Sequence, residues 1–79
     1  MKKITYEAVR FDCGEGVYVE ITPAVSNGRI SYDFHVCKDG YGVKEHLFGL
    51  PAENNCHEMW EVMILNNMDN VMEIASRMQ

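Results

Sequence analysis

Apolar and polar residues alternate through the first half of the chain, and glycine-containing turns interrupt the alternation three times. Alternation with period two marks half-buried strands, and three turns between them predict four strands joined as hairpins. The clearest turn is Asn27-Gly28. A two-residue type I′ loop needs positive φ at both central positions, which Asn and Gly adopt most readily. Asp39-Gly40 is the next, and Cys13-Gly14-Glu15-Gly16 forms a longer first turn. The strands are expected at about 3–11, 17–25, 29–37 and 42–48.

A two-residue loop at Asn27-Gly28 places Val25 opposite Ile30, Ile21 opposite Phe34 and Val19 opposite Val36. These six residues share one face. A slip of one residue would send all of them to the other face, so the pattern itself sets the register. Carried through a two-residue loop at Asp39-Gly40, the scheme sets Val36 against Val43 and Tyr32 against Leu47. Ile4, Tyr6 and Ala8 complete the same face from the first strand. Two residues strain this arrangement. Pro23 lies in a central strand, where it cannot donate a ladder hydrogen bond, so a bulge or fraying is expected there. Glu45 falls on the apolar face opposite Phe34, so either the fourth strand is bulged or that edge is uncovered.

After Leu50 the period lengthens. Pro51 suits a helix start, and Cys56, Trp60, Met63, Ile64, Met68, Val71, Ala75 and Met78 recur near helical spacing. One unbroken helix over 52–78 would run roughly 40 Å, more than strands of eight or nine residues can cover. The Asn66-Asn67-Met68-Asp69-Asn70 run is the natural place for a kink or break. Asn tolerates a left-handed C-cap, and Asn or Asp can cap a second helix. The fold class expected is therefore α+β: a four-stranded antiparallel meander with a C-terminal helix, broken near Asn67, packed on one face.

Composition narrows the function. With 79 residues the chain is sized for one domain that buries about 60% of its unfolded surface. Twelve acidic against seven basic residues give a net charge of −5. The bases Lys2, Lys3, Arg10, Arg29, Lys38, Lys44 and Arg77 are scattered, which argues against direct contact with nucleic acid and for a protein partner with a basic surface. Cys13, Cys37 and Cys56 have no framework spacing, so the chain reads as reduced and cytoplasmic. No signal-peptide pattern and no apolar run of membrane-spanning length is present. Five of six methionines lie in the helical segment and spread around more than one helix face, which suits an adaptable interface or a homodimer seam.

The same register assembles a polar face from Glu7, Val9 and Phe11, then Tyr18, Glu20 and Thr22, then Asp33, His35 and Cys37, then Lys44, His46 and Phe48. Glu20 faces His35 and Asp33 faces His46, pairs that can tune a histidine for proton transfer but that also stabilise a sheet with no chemistry involved. His35, Cys37 and His46 could supply three ligands to a metal, although zinc ordinarily takes a fourth. Phe11, Tyr18 and Phe48 could form a stacking platform, but no basic segment accompanies them. Glu58, Glu61 and Glu73 put negative charge on the helices. No catalytic motif and no cofactor motif emerges. The expected function is a non-enzymatic protein-binding module. One form is a stoichiometric inhibitor of the phage anti-defence, anti-CRISPR-like type, whose acidic surface blocks a nucleic-acid-handling enzyme. The alternative is a small metal- or ligand-responsive protein using His35, Cys37 and His46. The residues expected to meet a partner are Phe11, Tyr18, Glu20, His35, His46, Phe48, Glu58, Glu61 and Glu73.

Overall fold

Four strands and two helices follow one another along the chain in a computed structural model that describes residues 9–51 and 57–78. The strands are β1 (Val9–Gly14), β2 (Val17–Ser26), β3 (Arg29–Lys38) and β4 (Glu45–Pro51), and the helices are α1 (His57–Asn66) and α2 (Met68–Arg77). They form one antiparallel sheet in the order β1-β2-β3-β4, with both helices on one face. This is the α+β meander that the pattern predicts, including the break between the helices. Ile4, Tyr6, Ala8 and Cys56 lie outside the described residues, as do the starts expected for the first strand and the helical segment.

The central hairpin follows its sequence closely. Asn27 and Gly28 have φ of 52° and 73°, and pairing runs unbroken from Ser26↔Arg29 to Val17↔Lys38. Ile21↔Phe34 and Val19↔Val36 hold as expected. Pro23 pairs with Tyr32 without a bulge, contrary to expectation. In a two-residue hairpin the hydrogen-bonded pairs start at Ser26↔Arg29 and alternate, so Pro23 falls in a non-hydrogen-bonded pair. Its nitrogen points away from β3, and the described part of β1 begins only opposite Ile21. The missing donor therefore costs no bond between β2 and β3.

Both outer strands depart from the expected register, each through a bulge. The first turn is tight, with Glu15 and Gly16 at φ 56° and 75° between Gly14 and Val17. Cys13 is the extra residue, and the pairing shifts between Asp12 and Gly14. Val9 then opposes Ile21 and Phe11 opposes Val19, so both join the core face. On the other side Asp39-Gly40 does make a turn, with Tyr41 N donating to Lys38 O at 3.0 Å. The chain does not pair again until Glu45, which opposes Val36 in place of Val43. Val43 is 62% exposed in the intervening loop. A bulge opposite Phe34 and His35 then brings Phe48 against Phe34 and Leu50 against Tyr32. Glu45 is exposed at the open start of the strand, which resolves the conflict its charge posed. Pro51 ends this edge strand opposite Ser31, a position where a residue lacking N–H is tolerated.

Phe34, Ile64, Val19, Val36 and Val71 are the largest fully buried side chains. Trp60 meets Phe34 edge-on at 6.1 Å between ring centres and Tyr32 at 4.8 Å, while Phe34 packs on Phe48 at 4.5 Å. Val71 and Ala75 continue this core along α2, and Met78 does so just past its end. Asn67 makes the break, though not in a left-handed conformation, since its φ is −110°. Its backbone N donates to Ile64 O at 3.0 Å and its Nδ2 to Met63 O at 2.8 Å, satisfying two end carbonyls of α1. Its own carbonyl accepts from Val71 N at 3.0 Å and opens α2.

Candidate functional site

Two surfaces are built in detail: the open face of the sheet, and the outer side of α1. On the open face the pairings Arg10↔Glu20, Asp12↔Tyr18, Glu20↔His35, Tyr18↔Cys37 and His35↔His46 bring the polar residues of four strands together. Of the aromatic residues expected here, Tyr18 remains. Phe11 and Phe48 pack against the core on the other side, so there is no stacking platform. The Arg10 guanidinium lies 3.7 Å above the Tyr18 ring and holds Asp12 at 2.9 Å and Asp39 at 3.3 Å. Its hydrogen bond to Asp12, foremost, raises the Arg10 pKa and keeps it charged. The stacked cation closes the face that a base would need.

The two histidines sit side by side, their rings edge to face at 5.3 Å. Glu20 is the cross-strand partner of His35, as the pattern requires. His46 opposes His35 and not Asp33, but still approaches Asp33 at 3.5 Å. Gly49 makes that approach feasible, because a Cβ there would come within 3.0 Å of Asp33 Oδ1. The His35 Nδ1 is buried and has no hydrogen-bond partner among the described residues. Burial, and then the neighbouring Lys44 and His46, lower the His35 pKa below its ordinary value of 6.5. His35 is thus neutral at neutral pH.

A loop from Tyr41 to Lys44 crosses toward this face, and Lys44 Nζ reaches Glu20 at 3.3 Å. With Tyr18, Cys37 and Val43 these residues line a shallow cleft of about 190 Å³. Cys37 is 5% exposed, and burial raises its pKa, as it does for Cys13. Both thiols are protonated at neutral pH and are poor nucleophiles. His35, Cys37 and His46 do not converge, and no three His, Cys, Asp or Glu side chains are placed to hold a metal ion among the described residues. What the open face can do is hold charge in fixed pairs.

Glu58, Glu61 and Glu73 are all exposed, the first two on α1 and the third on α2. Beside them lies a stripe of which the spread of methionines anticipates only Met59. Met59, Val62 and Leu65 are exposed by 38%, 55% and 53%, and recur every three residues along α1. At about 100° per residue, Val62 lies half a turn from the buried line of Trp60 and Ile64. A helix packed on a core by one stripe ordinarily turns polar residues outward. α1 turns a second apolar stripe outward, with Glu58 set within it at its first turn and Glu61 along its β1 side. The signal was present in the run Met59-Trp60-Glu61-Val62-Met63-Ile64-Leu65, which is too apolar for a helix covered on one side only. Toward β1 the helix leaves a largely apolar cleft of about 210 Å³ lined by Val9, Phe11, Ile21, Trp60 and Ile64, with Arg10 and Glu61 also contributing to it.

The chain matches no family model, no curated protein and no solved structure.

Proposed function

We propose that this protein is a binding module that engages another protein through the outer face of α1, and that it is not an enzyme. The observation that carries the reading is the exposed stripe of Met59, Val62 and Leu65 diametrically opposite the core stripe of the same helix. Apolar anchors surrounded by polar residues are how interfaces gain most of their energy. An acidic margin suits the partner surface of opposite charge that the overall −5 favours. On the open sheet face Glu20 is held by Lys44 and the Cys37 thiol is buried and protonated, as residues with a structural role would be.

The test uses the whole chain as bait in its host lysate, in parallel with the double variant Val62→Ser, Leu65→Ser. A partner held by the native chain and lost by the variant, with melting temperatures within a few degrees, is the expected result. Equal capture by both baits overturns the reading and returns attention to the sheet face. If the partner handles nucleic acid, loss of its activity at one-to-one stoichiometry establishes the inhibitor form.

A further inference from the structure

We infer that the partner of the α1 face is a basic amphipathic helix, and not a second copy of this chain; the inference rests on the α1 reading above. Between His57 and Glu73 the chain carries Glu58, Glu61, Asp69 and Glu73 and no lysine or arginine. The outward stripe of Met59, Val62 and Leu65 spans two helical turns, the length over which one helix lays its apolar side against another. Two-fold self-pairing is isologous, so each residue of the patch would meet the same patch on its copy. Whether the two copies of α1 ran parallel or antiparallel, Glu58 and Glu61 of each would meet a helix that carries two glutamates and no lysine or arginine, so self-pairing brings together like net charge, which suppresses association. An occupant with leucine-like residues along one side and lysine or arginine beside them satisfies both features of the face at once. It fills the stripe and pairs with both glutamates.

The probe is a helical peptide of about 18 residues with a leucine stripe flanked by lysines, compared with the same peptide bearing glutamate in place of every lysine. Binding is followed by calorimetry, and its location by NMR shifts of Met59, Val62 and Leu65. The lysine peptide is expected to bind saturably and the glutamate peptide not to bind. Val62→Ser with Leu65→Ser, and separately Glu58→Gln with Glu61→Gln, should each weaken the lysine peptide by about tenfold or more. Moderate salt should weaken it as well. Equal binding of the two peptides, or shifts that fall on the sheet face, overturns the inference. So does sedimentation showing a dimer of the native chain that the serine variant dissociates, because a second copy then occupies the face. If the serine variant loses its partner from lysate while the lysine peptide never binds, the basic-helix assignment fails and the α1 interface stands.

Discussion

The two faces of the sheet are built from the same strands, yet they are held by different forces. On the helix side Val19, Phe34 and Val36 are fully buried, and Trp60 closes over Phe34 and Tyr32. On the open side the neighbours of these residues meet in polar and aromatic pairs: Lys44 with Glu20, His46 with Asp33, and His35 against His46. Burial acts on every atom of a side chain and is not screened, whereas each exposed ion pair adds little and weakens with salt. Stability should therefore reside almost wholly on one face, leaving the other free to change at small cost.

The largest expected effect comes from emptying the packed face. Phe34→Ala removes the ring that touches both Phe48 and Trp60, and it should cost about 3–5 kcal/mol, a large share of the stability of so small a protein. Denaturant unfolding followed by Trp60 fluorescence measures it. A loss under 1 kcal/mol would mean that the two faces do not differ in the way described. On the open face Lys44→Ala should cost about 0.2–1 kcal/mol, and the difference from wild type should vanish in high salt. A larger, salt-independent loss would show that the loop from Tyr41 to Lys44 stabilises by packing and not by charge.

The same contrast explains which parts of the fold the sequence discloses. The register of the β2 and β3 hairpin is legible because its loop has two residues, both with the required φ, and its apolar residues alternate on either side of Pro23, the one position where the expected bulge is absent. The outer strands are less legible because each contains one unpaired residue, Cys13 in β1 and Leu47 opposite the Phe34/His35 step. A bulge reverses which residues face the core beyond it, and neither strand announces it with a glycine or proline at the bulged position itself. Phe11 and Phe48 change faces for this reason alone, and with them the stacking platform disappears. Glu20 and His35 are where the pattern puts them because both belong to the central hairpin. The helix break at Asn67 is legible from composition, although its mechanism, a side chain reaching back to Met63 O, is not. The outward stripe of α1 is masked in the sequence because one apolar stripe at helical spacing already accounts for the core.

The smallest effect belongs to His35, and it sharpens the comparison because it is an open-face group whose titration burial governs. Its pKa is lowered mainly by burial, then by Lys44 and His46, with Asp33 and Glu20 pulling the other way. An unfolded chain takes up a proton at the ordinary value of about 6.5, while the folded chain resists until a lower pH. The contribution of His35 to stability is thus fully present above pH 6.5 and is lost as pH falls through that value, levelling off below the folded pKa. Melting curves from pH 7.5 down to 5 should show a decline that is shallower in His35→Gln, with the remaining histidines common to both chains. Lys44→Ala removes a nearby positive charge and should raise the His35 pKa, which NMR titration of the ring reads directly. An unchanged pKa in that variant would remove Lys44 from the causes and leave burial, with His46 beside it, holding the shift, which would make His35 an extension of the packed face, its Nδ1 sealed from water.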